Sequence, residues 1–457
     1  MTNTIARALQ HFCYACEETT KGTVVLPTVL TQKIMTAGFA EINQQPTYTD
    51  SEEINNSLDL LERFQDQIAN GTFKIPMYVH PSGTAGTAPM GAILFESLFG
   101  NATNDSGVKE TYDQTTTKKS FTLWSKLGHT VFFGSGAVAE NGKFSMVNKG
   151  ANQVDISGGF MQMGWAGTDQ SNGATANGDG AAYVVDKVAG YVEGDTVITL
   201  KTGTGTVLEG DVVNFEDDST DYFIADGGGV AEAGDITLRA PGLTANLADG
   251  KTLTIDGSSL VTVDEGKKFT ADALISIAAD HNTNMGYQIA SVSTNKVYLK
   301  EKVTCADDAA ITGWLPVLVA PGAPIENKDL TITFDGSAKI LKSLTIDYSS
   351  PVAWQNEEIT SDGYVGAYVE DRRDIKVSAE ALFREAELSL FYDALNNAKI
   401  AIIAIVGTTA GKIMTINLPY TELEMPGPQP SKPVVNLSLS GKALGSSGED
   451  SCSIVFT

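Results

Sequence analysis

Apolar and polar residues alternate along several stretches of this chain, with the two-residue period of a strand buried on one face. Asp374–Ala381 (DIKVSAEA) is the clearest case, and Lys399–Val406 (KIAIIAIV), Lys412–Leu418 and Thr72–Val79 read as strands too. Two short stretches have helical spacing instead. Met90–Phe99 sets Ile93, Leu94, Leu98 and Phe99 on one side, with Pro89 suited to the first turn and Gly100 to the stop. Arg384–Asn396 (REAELSLFYDALN) sets Leu388, Phe391, Tyr392 and Leu395 at the same period.

Around these elements the first and last thirds follow a similar order. Residues 1–46 read as an N-terminal arm, with a short helical start at Ile5–Tyr14 and an extended stretch through Val24–Leu26. Asn70-Gly71 tolerates positive φ at both positions and predicts a hairpin between Arg63–Ala69 and Thr72–Val79. After the first helix come a polar loop, Asn101–Lys119, and three strands, Ser120–Leu127, Thr130–Ser135 and Gln153–Trp165, with Gly128-His129 turning between the first two. The last third runs Ile340–Tyr348, Asp374–Ala381, the second helix, Lys399–Val406, a turn over Gly407–Gly411, Lys412–Leu418 and Pro433–Ala443. Both ends therefore read strand, short helix, strand, strand, return strand. Shared order with little residue identity points to an internal duplication.

The middle differs. A glycine- and asparagine-rich linker, Gly167–Gly180, opens it. Strand-like runs follow at Asp195–Leu200, Val207–Phe215, Asp235–Leu238, Thr252–Ile255, Tyr287–Val292 and Lys296–Leu299, with closely spaced turn signals that suit small barrels or sandwiches. The expected fold class is mainly β. It comprises an arm (1–46), a first sandwich or barrel domain with a flanking helix (47–165), an inserted β-rich region that projects outward (166–321) and a second domain like the first (322–457).

Composition sharpens this. Hydrophobic residues at 42% of 457 support a packed core, and 45 glycines favour strands joined by tight turns. The net charge of −25 excludes a protein that grips nucleic acid through its phosphates, because that needs a basic face. It does not exclude a conduit whose wall must not stick. The middle segment holds 23 acidic residues against nine basic ones, so 14 of the 25 excess negative charges lie there. The start has no basic run followed by an apolar segment, and no apolar stretch approaches the ~20 residues that span a bilayer. The expectation is synthesis in the cytosol and no membrane partner.

Candidate chemistry is sparse. Cys13-Tyr-Ala-Cys16 is a lone C-x-x-C, and Cys305, Cys452 and the four histidines (His11, His80, His129, His281) supply no second spaced pair. Reduced small residues are the plain reading, with zinc or a redox pair the alternative. Gly203-Thr-Gly205 lacks the Lys and following helix of a phosphate loop and reads as a hairpin turn. Glu216-Asp217-Asp218 with Asp221 lacks the spacing of a calcium loop and reads as a solvated turn, with weak cation binding left open. No nucleophile elbow or distinct carboxylate pair stands out, so neither a catalytic residue nor a cofactor is expected. Asp371-Arg372-Arg373-Asp374 is the most concentrated charge cluster of the last third. It reads either as a salt-bridged surface turn or as a contact between subunits.

Some of these stretches resemble the two-domain tail tube proteins of phages with long non-contractile tails. The carriers are Gln67-Ile-Ala-Asn-Gly71, Gly91-Ala-Ile-Leu-Phe-Glu-Ser-Leu-Phe-Gly100, Lys119-Ser-Phe-Thr-Leu123, Phe132-Phe-Gly134, Tyr392-Asp-Ala-Leu395 and Met414-Thr-Ile-Asn-Leu-Pro419. The resemblance covers somewhat more than half of the chain and departs at the long insertion. It implies a virion structural protein, not an enzyme, assembled in the bacterial host into stacked rings around a DNA channel. Three chains with two domains each would make a pseudo-sixfold ring; six chains are the alternative. It implies a tape measure protein and genomic DNA in the lumen, with tail terminator and distal tail proteins at the ends. Asn101, Lys109, Asp113 and Lys118 are the residues expected to reach the next ring, and Asp371, Arg372, Arg373 and Asp374 those expected to meet a neighbouring subunit. Another virion component of related fold and a glycan-binding surface β-protein are the alternatives.

Overall fold

The computed structural model describes residues 11–28, 32–53, 59, 62–174, 182–226, 233–278, 286–303, 309–317, 322–356, 364–365, 368–431 and 433–457. The fold is mainly β: strands hold 55% of residues, so the helices are accessories to sheets. The chain divides into two units. One comprises Met1–Gly128, Phe132–Met163 and Val317–Thr457; the other comprises His129–Val131 and Gly164–Pro316.

The first third lays down β1 (His11–Glu17), β2 (Lys33–Ile34), β3 (Glu41–Asn43), β4 (Tyr48–Asp50), β5 (Arg63–Gln65), β6 (Gly71–Tyr78), α1 (Ala92–Phe99), β7 (Gly100–Asp105), β8 (Lys109–Gln114), β9 (Phe121–Leu127), β10 (Thr130–Val147), β11 (Gln153–Phe160) and β12 (Gln162–Ala166). Three expectations are corrected. His11–Glu17 is a strand paired with β9 along all seven residues, not an arm or a helix. Its centre, Cys13–Cys16, is buried on both faces, so no alternation marks it as a strand. Residues 1–10, which held the rest of the expected helical start, lie outside the described residues. The hairpin expected at Asn70-Gly71 is also absent. β6 pairs with β3 and β11, while β5 pairs with β4. Gly71 serves a close approach instead, because a Cβ there would overlap the ring of Phe160. Lastly, the polar loop after α1 is a hairpin, β7–β8, paired from Gly100↔Gln114 to Asp105↔Lys109. Its burial alternates only along β8, and its mostly polar residues hid the strand period.

Strands β1, β9, β10, β11, β6 and β2 close a barrel, the last step being the bridge Thr36↔Met77. β10 makes this possible through its 18 residues. Its first half pairs with β9 and its second half with β11, with a bulge between Ala139 and Asn141. α1 lies on the barrel with Ile93, Leu94, Phe95, Leu98 and Phe99 buried. It ends at Gly100, whose φ of 108° suits glycine.

The middle unit contains β13 (Thr168–Ala174), β14 (Tyr183–Val185), β15 (Val197–Lys201), β16 (Asp211–Phe215), β17 (Tyr222–Asp226), β18 (Ala233–Leu238), β19 (Thr252–Val263), β20 (Leu274–Ile277), β21 (Tyr287–Ser293), β22 (Lys296–Val303) and β23 (Ala310–Gly313). The order β19-β14-β15-β18-β17-β16 returns to β19, and so does β19-β13-β23-β20-β21-β22. The unit is thus two small six-stranded barrels that share the long strand β19. Arg239 ties them, donating to Leu299 O (3.1 Å) and Ser259 Oγ (3.1 Å) with its guanidinium 4.6 Å from the Tyr298 ring centre. Of the expected linker, residues 175–180 lie outside the described residues.

The last third rejoins the first unit with β24 (Leu330–Phe334), β25 (Ser337–Lys339), β26 (Leu341–Ser349), β27 (Val352–Trp354), β28 (Tyr368–Glu370), β29 (Asp374–Leu382), α2 (Leu388–Leu395), β30 (Lys399–Val406), β31 (Met414–Leu423), β32 (Gly427–Ser431), β33 (Val434–Leu444) and β34 (Ser453–Phe456). Its pairings reproduce those of the first third. β24 pairs with β25 and β30 as β1 pairs with β2 and β9. β26 lies beside β29 as β3 lies beside β6, and β33 returns to β29 as β11 returns to β6. β31 and β32 run on from Met414 to Ser431 as β10 does, with the same register slip against the return strand. α2 follows β29 as α1 follows β6. The first and last thirds are two copies of one topology, and one continuous core contains buried residues from both. They are therefore not two separately packed domains.

Candidate assembly interface

The feature with most functional content is the seam between the two repeats. β10 pairs antiparallel with β26 along seven residues, from Asn141↔Ser349 to Val147↔Ser343. The outer edge of the first repeat's sheet thus accepts the leading strand of the second. The sheet runs unbroken as β3-β6-β11-β10-β26-β29-β33. Leu344, Ile346 and Tyr348 of the incoming strand are buried, and burying the Leu344 and Ile346 side chains contributes about 1.5–3 kcal/mol each to folding. Tyr348 meets Phe99 of α1 with ring centres 4.5 Å apart and accepts from Gln114 Nε2 at 3.1 Å. A second join lies nearby, where β34 pairs with β8 and Phe456 meets Phe95 at 5.7 Å.

The same edges recur at the two ends of this sheet. Among the described residues, β3 pairs only with β6 and β32 only with β33. By the repeat, β3 stands where β26 stands and β32 where the second half of β10 stands. β32 (GPQPS) carries Pro428 and Pro430 and is largely exposed. Its ladder to β33 covers all five residues, so both proline nitrogens face away from β33. The outer edge of β32 offers carbonyl acceptors there and no donors. Two such edges cannot pair with each other, whereas an edge with free N–H groups, such as that of β3, can donate to one.

The charge cluster sits at one end of the seam. Asp371, Arg372 and Arg373 line a cleft of about 500 Å³ with Gln114 and Thr116 from the first repeat and Ser350, Gly445, Glu449 and Ser451 from the second. Arg373 is already paired, with Glu449 at 2.6 Å. Asp374 is paired with Lys442 at 2.7 Å, which holds its carboxyl below the usual range. Asp371 accepts the backbone N–H of Arg372 at 2.6 Å. Arg372 and Asp371 are the exposed members.

Of the residues expected on an inter-ring loop, Asn101, Lys109 and Asp113 lie on the β7–β8 hairpin. Lys118 is buried, which corrects its expected exposure. Its ammonium donates to Ala139 O (2.6 Å), Ser97 O (3.4 Å) and Leu98 O (3.5 Å), tying the end of α1 to the bulge of β10. Burial lowers its pKa to about 7.

The other candidates resolve as structural chemistry. Cys13 and Cys16 are three apart on one strand and so point to opposite faces, which rules out a shared ion or a disulfide between them there. Burial pushes the Cys13 thiol up to about 12 and the Cys16 thiol up as well, away from the reactive thiolate. Cys305 and His281 lie outside the described residues. Asp217 pairs with Lys251, Asp218 accepts from Tyr222 Oη at 2.6 Å, and Asp221 accepts from Asn214 at 2.9 Å, so the acidic run is occupied by the chain itself. Among the described residues no three His, Cys, Asp or Glu side chains gather as metal ligands do. A Cβ at Gly203 would overlap the ring of Tyr183, whose hydroxyl donates to Gly205 O at 2.7 Å; this glycine serves packing.

Sequence reasoning missed the seam itself. Its strands lie about 200 residues apart, and no local signal names a strand's partner. No protein-family model matches this chain, and no curated protein matches it.

Proposed function

We propose that this chain is a structural protein that polymerises head to tail into rings, and that the rings stack into the tube of a long non-contractile phage tail. The observation that carries the reading is the β10–β26 seam, with unpaired copies of both its edges at β3 and β32. Repeating the seam between chains pairs different surfaces, so the assembly is heterologous, and such a contact closes into a ring or runs on as a filament. Prolines on β32 disfavour the competing symmetric dimer. The tail tube resemblance of Gly91–Gly100 and Met414–Pro419 supplies the phage assignment. Three two-repeat chains per ring is the preferred count, six the alternative. The reaction is passive: a wall without basic traps lets phosphate slide past, and the net charge of −25 suits that role.

Sedimentation velocity over a range of concentrations tests the reading. Species should grow from 48.3 kDa chains to closed oligomers and then to much larger particles. A single 48.3 kDa species throughout would overturn it.

A further inference from the structure

The two helices of the repeat are treated differently by the fold. In α1 every apolar side chain from Ile93 to Phe99 is buried. Its cover comes partly from its own hairpin, where Phe95 meets Tyr112 at 5.6 Å, and partly from the second repeat, where Phe99 meets Tyr348 and Phe95 meets Phe456. In α2 the stripe Leu388, Tyr392, Leu395 stands at helical spacing and is exposed by 51%, 69% and 72%. Leu94-Phe95 and Leu390-Phe391 mark the same turn of each helix, which sets Leu395 where Phe99 stands. Phe99 is the residue that touches the strand arriving across the seam.

The stripe also adjoins the open edge. Phe383 packs on Phe391 with ring centres 6.1 Å apart, and its N–H donates to Val435 O at 2.9 Å. Val435 pairs with Pro430 of β32. Phe383, Val434 and Val435 are themselves 39%, 43% and 43% exposed, so the apolar surface continues from α2 to the strand whose outer edge is unpaired. No hairpin follows α2: β30 starts at Lys399, four residues after the helix ends at Leu395, so the second repeat has no cover of its own of the kind β7–β8 gives α1.

We infer that the Leu388–Tyr392–Leu395 face of α2 is a docking surface for a second copy of this chain, and that the copy placing its first repeat beside β32 covers it. The inference rests on the head-to-tail reading above and adds the surface that makes the contact apolar. A ladder along β32 alone is short and lacks donors at two positions; the helix face supplies the buried area that holds such a contact.

The test uses the full chain with Tyr392→Asp and Leu395→Asp together, and Val188→Asp in the middle unit, itself 92% exposed, as the control for added charge. The double variant should keep the wild-type circular dichroism and melting temperature, since both side chains are exposed, yet need at least tenfold more protein to assemble. The control should assemble as the wild type does. Wild-type assembly by the double variant would overturn the inference and leave the head-to-tail reading standing; a wild-type chain that never associates would sink both. A photoreactive residue at position 395 adds a direct readout. The expected adduct joins two chains and contains a peptide around Glu41–Asn43; an adduct confined to one chain, or with the middle unit, contradicts the inference.

Discussion

Gly158 and Gly441 hold the same position in the two repeats. Each is the last paired residue before the register slips, opposite Ala139 and Leu423 respectively. A Cβ on Gly158 would overlap Val138 O, and one on Gly441 would lie 2.7 Å from Glu422 O. A common structural need, a backbone pressed against its neighbour where the long strand bends, thus accounts for a glycine at equivalent places in two stretches that share little other sequence.

That need has a measurable size. Gly158→Ala should destabilise the first unit by about 2–4 kcal/mol, because backbone on both strands must shift, and Gly441→Ala by about 1–2 kcal/mol. Urea denaturation of the two variants checks the order; equal and negligible losses would contradict the geometry.

Lys118 gives a pH signature. Burial lowers its pKa to about 7 in the folded chain, against the ordinary lysine value near 10.4 when unfolded. Between those values the unfolded chain holds the extra proton, so stability rises as pH goes up through 7 and the cost of burying the charge disappears. Below pH 7 both states are protonated and the cost is fully present. The wild-type urea midpoint should therefore rise from pH 7.0 to about 8.0, below the unfolded thiol value near 8.5 at which the raised pKa values of the buried cysteines begin to pull the other way. Lys118→Met should flatten that rise. An unchanged slope in the variant would contradict the assignment.

On the head-to-tail reading proposed above, Pro428 and Pro430 set the direction of association. Replacing both with Thr restores outward N–H donors on β32 and should allow two β32 edges to pair. Static light scattering should then show symmetric dimers accumulating at the expense of rings and larger particles. Unaltered assembly would mean that this edge is not at the contact.

The strand edges and the helix face of the proposed contact all belong to one of the two units. Replacing Gly164–Pro316 with a short Gly/Ser linker should leave head-to-tail assembly intact, because the β10–β26 seam, β3, β32 and α2 all lie in the other unit or at its retained strands. Loss of assembly with a folded deletion variant would place the insertion within the contact.

The sequence was legible where one face of a strand is wet. Asp374–Leu382 and Lys399–Val406 alternate in burial as they alternate in hydrophobicity, and both lie where the pattern put them. The two helices were also readable, although α1 begins at Ala92, two residues later than its pattern suggested. β1 was illegible because Cys13–Cys16 are covered on both faces, which erases the period. The β7–β8 hairpin was illegible for the opposite reason: Asn101, Thr103, Asn104 and Asp105 leave one strand almost wholly polar. The duplication could be read from element order, but the seam could not, since Phe144 and Ile346 become neighbours only after both repeats fold.

Negative-stain electron microscopy of the concentrated, purified chain tests the central claim most directly. Annular particles with an open centre, stacked into rods of constant width, are the expected image. Isolated particles of one chain, unchanged at every concentration, would mean that β3, β32 and the α2 face meet no second copy.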